Sequence, residues 1–209
     1  MNLIIMGPIG VGKGTQAKLI CEQLGIVHIS TGDIMRKHIK EQTPIGVKIK
    51  SILDSGGYVD DTLTTEILRD RLAEADTVSG FILDGYPRTV AQASSLEHMT
   101  DIAKVVFLTA ERDIIIKRLS GRRVCNGCGE MYHIETKQPT QTGVCDKCGG
   151  ELIQREDDSE AVIAKRLAIF EEQTLPLKDF YREHGLLVEI DGTGQVSQVT
   201  NDILEALKG

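Results

Sequence analysis

The chain has 209 residues, a formal net charge of −7 and a pI near 5.3. That length suits one sizeable core with small insertions rather than two large domains, and 41% hydrophobic with 26% charged residues excludes a disordered or fibrous chain. The negative balance lacks the broad positive field that general adhesion to nucleic acid or an anionic membrane requires.

Asn2–Met6 is a short apolar run with no basic residues ahead of it, and it stops at Gly7. It is too short for a secretory signal or an ~18-residue membrane span, which points to a cytoplasmic protein. Residues 13–24 then carry apolar side chains at Ala17, Leu19, Ile20, Cys21 and Leu24, the spacing of a helix. Cys21, alone in that pattern, reads as a small buried hydrophobe. The connection is Gly7-Pro-Ile-Gly-Val-Gly-Lys13-Gly-Thr15. A glycine-rich loop that leaves a strand and opens a helix wraps its N–H groups around phosphates, and the helix terminus adds partial positive charge. Gly10, Val11, Gly12, Gly14 and Thr15 are the expected ATP-binding backbone, and Lys13 reaches the β and γ phosphates.

Further apolar runs at 26–29, 80–83, 105–108 and 186–190, separated by helical periodicity, predict an α/β fold with a five-stranded parallel sheet. Residues 30–59 break the rhythm as an inserted helical lobe interrupted at Pro44 and at Gly56-Gly57. Asp84 ends a strand, where a parallel sheet places its ligands, and its charge is costly there without a cation. It is assigned to magnesium held through water, with Thr15 and Asp33 as lesser candidates. Residues 161–182 predict one long helix bent near Pro176.

Residues 122–158 are too poor in aliphatic side chains to form a core of their own. They hold Cys125-x-x-Cys128 and, sixteen residues on, Cys145-x-x-Cys148. Two such knuckles match a closed, structural zinc site, with iron as the alternative occupant. His133 reads as a hydrogen-bonding partner within this segment rather than a fifth ligand. A nucleic-acid-reading ribbon is the competing reading. Lys137 and Lys147 against Glu130, Glu135, Asp146 and Glu151 argue against it.

The Gly-Lys13-Gly-Thr15 ending, Ser30-Thr-Gly-Asp33, Gly57-Tyr-Val-Asp-Asp61 and Asp84-Gly-Tyr-Pro-Arg88 with Gln92 resemble the adenylate kinases, the zinc-binding bacterial type with a long lid. The likeness runs the length of the chain, although Pro8 precedes Ile9 where the family usually has proline third, and Tyr86 stands where Phe is frequent. It implies a P-loop NTPase-type sheet forming a core of residues 1–29, 60–121 and 159–209, a monophosphate-binding lobe at 30–59 and a zinc-binding lid at 122–158. The implied reaction is ATP plus AMP giving two ADP in a monomer, with magnesium and structural zinc and with no nucleic-acid or membrane partner. Thr31, Arg36, Gly57, Val59, Gly85, Arg88 and Gln92 would hold AMP. Arg118, Arg122 and Gln195 would serve ATP, Arg118 by stacking on its base. Arg155 and Arg166 would meet the AMP phosphate and, with Arg122, the transferred one, while Lys13, Arg88 and Asp84, the last through magnesium, complete the catalytic set. UMP, CMP and GMP remain open as acceptors, since base recognition is located only by likeness.

Overall fold

The computed structural model describes residues 1–208; Gly209, the last residue of the expected core segment, lies outside them. The chain runs β1 (Asn2–Met6), α1 (Lys13–Leu24), β2 (Val27–Ser30), α2 (Thr31–Lys40), α3 (Pro44–Asp54), α4 (Asp61–Leu72), β3 (Phe81–Asp84), α5 (Val90–Glu97), β4 (Lys104–Thr109) and α6 (Arg112–Ser120). It continues through β5 (Arg122–Cys125), β6 (Met131–His133), β7 (Leu152–Ile153), α7 (Glu160–Ile169), α8 (Leu177–Glu183), β8 (Leu187–Asp191) and α9 (Val196–Ala206).

Five strands form one parallel sheet in the order β2-β3-β1-β4-β8. Side chains alternate across it. Ile4, Met6, Leu83 and Phe107 bury on one face with Leu68 and Leu177, while Leu3, Ile5, Val106 and Leu108 bury on the other against Ile20, Val199 and Ile203. Both faces are covered, so the strands read as unbroken apolar runs. The chain leaves β1 toward β2 on one side and later fills β4 and β8 on the other, which opens a crevice at the carboxyl ends of the strands.

The helical insertion buries Met35, Ile49 and Val59 in a small cluster completed by Ile67 of α4. Its two helices approach closely at Gly46, where a Cβ would sit 2.1 Å from the His38 carbonyl oxygen. Strands β5, β6 and β7 make a separate antiparallel sheet, ordered β6-β5-β7, which buries Val124, Cys125 and Tyr132 and packs against Cys145.

The helix expected over 161–182 with a bend near Pro176 does bend there, and the structure adds a π-type turn just before it. Helix α7 gives way at Phe170–Thr174 to a π-type turn, in which the Leu175 N–H reaches the Phe170 carbonyl at 2.8 Å, and α8 begins after Pro176. Proline has no N–H for the carbonyl four residues back, so the ladder widens before it. The widened turn carries Thr174, whose hydroxyl donates to the Arg88 carbonyl at 2.9 Å.

Candidate active site

The phosphate loop fills the turn from β1 to α1. Gly7 is needed twice over, because its φ is +135° and a Cβ there would sit 2.3 Å from the Leu108 carbonyl oxygen. Gly12, in the left-handed region, opens α1 with no side-chain cap and no acidic residue in the first turn. The positive end of the helix therefore faces the crevice uncompensated. The side chain of Lys13 folds back over the loop and donates to the carbonyls of Gly7 (2.8 Å) and Pro8 (2.7 Å). Burial lowers the Lys13 ammonium to about 8, Asp84 pulls it upward, and Arg88, Arg166 and Arg122 push it down further. These groups are near enough to act on one amine, which places three guanidinium groups, one ammonium and one carboxylate around the crevice.

Asp84 lies at the end of β3 between the two halves of the crevice. Its Oδ2 is 3.3 Å from His28 Nε2, and a Cβ on Gly14 would come within 3.4 Å of the same oxygen. A hard oxygen donor beside the phosphate loop suits magnesium. Val11 lies in the loop and Thr15 in the first turn of α1. The Val11 carbonyl accepts from Arg118 Nη1 at 2.9 Å, and the same guanidinium reaches Gly192 O at 2.8 Å and Thr193 O at 3.2 Å. Arg118 thus fastens the phosphate loop to the turn after β8. Gln195, exposed, follows that turn as the N-cap residue of α9.

On the opposite side a narrow crevice is lined by Thr31, Tyr58, Val59, Gly85, Arg88 and Gln92, with Met35, Leu53 and Thr64 beneath. Thr31 donates to Gly85 O at 3.0 Å and Arg88 Nε to the same oxygen at 2.8 Å. The Arg88 guanidinium stacks 4.7 Å from the Tyr58 ring centre. Gln92 is buried, with its Oε1 accepting from Arg88 N and its Nε2 donating to Asp61 Oδ1, both at 2.7 Å. Two expected residues stand outside the lining. Gly57 belongs to the turn before it, with its N–H on Ile52 O, and the Arg36 guanidinium is paired with Asp33 at 2.5 Å.

The remaining arginines come from either side of the cysteine segment. Arg122 makes a two-pronged pair with Asp158, Nε to Oδ2 at 2.8 Å with Nη2 on Oδ1, and the Asp158 side chain is 0% exposed. Arg166 holds Asp157 at 2.8 Å and lies 3.7 Å from Asp158. The Arg155 side chain has neither a hydrogen bond nor an ion pair among the described residues; burial, then Arg36 and Arg122, weaken its hold on the proton. Arg123 donates to Ser120 O and Arg122 O. The two insertions also touch: Lys40 Nζ donates to Asn126 O at 2.8 Å and Lys50 lies 3.7 Å from Glu156.

The sulfurs of Cys125, Cys128, Cys145 and Cys148 lie within 4.8 Å of one another. Cys125 and Cys148 are 3.4 Å apart and Cys128 and Cys145 3.7 Å. A tetrahedral set at about 2.3 Å from zinc has edges of about 3.8 Å, so the four thiols fit that ion. Each knuckle closes alike, Gly129 N–H on Cys125 O at 3.0 Å and Gly149 N–H on Cys145 O at 2.8 Å. Tyr132 donates to the Cys145 sulfur and accepts from the Asp146 N–H, which orients that ligand. His133 Nδ1 accepts from the N–H groups of Glu135 and Thr136, away from the sulfurs.

Sequence reasoning did not single out Tyr58, Asp61 as the partner of Gln92, Asp158 as the partner of Arg122, or His28. The acidic pair Asp157-Asp158 between two arginines was the available signal for one of them.

The family model described as adenylate kinase matches residues 5–186. The chain is 49% identical to the adenylate kinase of Bacillus licheniformis over 100% of this chain and 99% of the relative. It is also 49% identical to that of Citrifermentans bemidjiense over 100% of both, and 46% identical to that of Clostridium tetani over 99% and 98%.

Proposed function

This chain belongs to the adenylate kinase family, and from that membership we propose how its own residues share the family's reaction, in which ATP and AMP give two ADP. The protein is a phosphotransferase, a nucleoside monophosphate kinase. The ATP phosphates lie on the amides of residues 10–15, with Lys13 on the β and γ groups. Arg118 and the turn leading to Gln195 flank the donor base. The opposing crevice takes AMP: Thr31, Val59, Gly85 and Gln92 surround the base, with Gly57 at its edge. Arg88 and Arg36 grip the phosphate, Arg36 by exchanging its Asp33 partner for the incoming anion.

Between the two nucleotides, Arg122, Arg155 and Arg166 gather on the transferred group, with Arg155 and Arg166 also meeting the AMP phosphate. Charge spreads over the equatorial oxygens during transfer, so fixed cations there favour the transition state over the ground state. The attacking phosphate oxygen is already anionic at neutral pH, and no general base is required. Magnesium bound with ATP would neutralise phosphate charge, held by Asp84 through the ion's own water shell. The observation that carries this reading is that Asp84, Arg88, Arg122 and Arg166 all lie close enough to Lys13 to act on its charge, with a phosphate loop on one side and an acceptor crevice on the other.

Residues 1–29, 60–121 and 159–209 act as the core, 30–59 as the acceptor lobe and 122–158 as a zinc-stapled lid. The contacts of Lys40 and Lys50 support closure of lobe on lid, which keeps water from the ATP. A Cys-rich metal cage favours a reducing compartment, and we place the protein in the cytoplasm as a monomer. The deciding experiment couples ADP formation to a reporter with ATP and each of AMP, GMP, CMP and UMP. AMP is expected to be preferred, and an equal or better rate with another acceptor would overturn the assignment of the crevice.

A further inference from the structure

We propose that Gln16 is a positioning residue for the donor nucleotide: with Thr200, its buried amide sets the register between the helix that carries Lys13 and the turn that flanks the ATP base. The inference rests on the donor-side reading above.

Gln16 is 4% exposed and Thr200, on α9, is 3% exposed. Gln16 Nε2 donates to Val196 O at 3.0 Å, and its Oε1 accepts from the Thr200 hydroxyl at 2.7 Å. That hydroxyl also lies 2.8 Å from Val196 O, and its single proton serves one acceptor at a time. The partners fix the orientation of the amide, since a flipped amide would set its oxygen against the Val196 carbonyl oxygen.

The surrounding contact between α1 and α9 is apolar, made by Ala17, Ile20, Val199 and Ile203. In such a place a methionine of similar volume costs less to bury than an amide. The Val196 carbonyl, at the first helical position, is in any case within reach of the Thr200 N–H. Gln16 therefore adds direction rather than needed satisfaction. Apolar surfaces tolerate sliding, whereas a hydrogen bond near 3 Å holds one register.

What is held matters for the donor. Arg118 fastens Gly192 and Thr193 to Val11 of the phosphate loop. Gln16 fastens Val196 to the first turn of the helix bearing Lys13 and Thr15. Gly194 and Gln195 are bracketed between these two struts, so the distance from base to phosphates is set at both ends.

Gln16→Met and Thr200→Val, each in the full chain, test the idea. Gln16→Met is expected to raise the KM for ATP about fivefold, the scale of one net hydrogen bond, and to narrow the preference for ATP over GTP. The KM for AMP should stay within about twofold and the Tm hold or rise. Thr200→Val should do the same more weakly. Parallel shifts in both KM values with a lowered Tm, or no shift in either variant, would overturn the positioning role. Amide NMR of the unaltered protein separates the two layers. No response of Gly194 and Gln195 to ATP would defeat the donor-side reading itself, while a clear response alongside an unchanged ATP KM in Gln16→Met would defeat only the inference.

Discussion

Lys13 offers the most direct test, because its two environments differ in the number of protons held. In the free protein its ammonium titrates at about 8 instead of 10.5, through burial first and through Arg88, Arg166 and Arg122 second. It is then about nine-tenths charged at pH 7 and about one-tenth charged at pH 9. Phosphates seated on the loop reverse the balance of charge around the amine and return its pKa above 10. Binding of magnesium-ATP should therefore take up about 0.9 of a proton at pH 9 and only about 0.1 at pH 7. Calorimetry in pairs of buffers with different ionisation enthalpies reads this number directly. Lys13→Met should erase the uptake at pH 9 and cut turnover by about 10² or more, since the residue acts on developing charge. AMP alone should cause little uptake. Equal uptake at the two pH values would refute the assignment of the amine to the donor phosphates. The stability consequence has a definite sign. Unfolding restores 10.5, so the unfolded chain holds more protons between pH 8 and 10.5, and the Lys13 contribution to stability rises with pH across that window.

Asp158→Asn should lower stability by about 3–5 kcal/mol by stranding the Arg122 guanidinium beside a neutral amide. For a chain of this size that is a Tm fall of about 6–20 °C, and a scan showing less than about 2 °C would mean the pair is solvated. Gln92→Ala should raise the KM for AMP about tenfold and leave that for ATP nearly unchanged, because both ends of the amide serve the acceptor crevice; equal effects would mean that the two nucleotide sites are misassigned. Cys128→Ser should abolish stoichiometric zinc and release amide-exchange protection across β5, β6 and β7 while that of β1, β3 and β4 holds. Metal analysis of the unaltered protein finding neither zinc nor iron would remove the basis of that prediction.

What was legible in the sequence was local and mechanical. The phosphate loop announces itself because glycines and a lysine at fixed spacing answer one demand, close backbone approach to an anion. The strands were legible as apolar runs, yet four of them end one residue later than those runs suggest. Ser30, Asp84, Thr109 and Asp191 extend the ladders past residues 29, 83, 108 and 190. Each is a polar residue at the carboxyl edge of the sheet, where the fold sets its chemistry, so hydrophobicity alone stops one step short of the site. The bend near Pro176 was legible, but the π-type turn at Phe170–Thr174 was not, because a proline also disturbs the hydrogen-bond ladder ahead of its own ring.

Pairings were not legible, since nothing local ties Arg122 to Asp158, Gln92 to Asp61 or His28 to Asp84 across 36, 31 and 56 residues. Their physical necessity appears only once the cations are seen together. A site built to bind several phosphates must hold its guanidinium groups close before the phosphates arrive, and like charges at such range repel. Asp158, Asp157 and Asp33 meet that repulsion at Arg122, Arg166 and Arg36. Arg155 has no such partner among the described residues, and burial weakens its hold on the proton most clearly. On the proposed roles, it is the arginine with most to gain from an arriving phosphate. On those same roles the carboxylates stand in for substrate charge at three positions, while Arg88 and Arg155 have no carboxylate partner among the described residues.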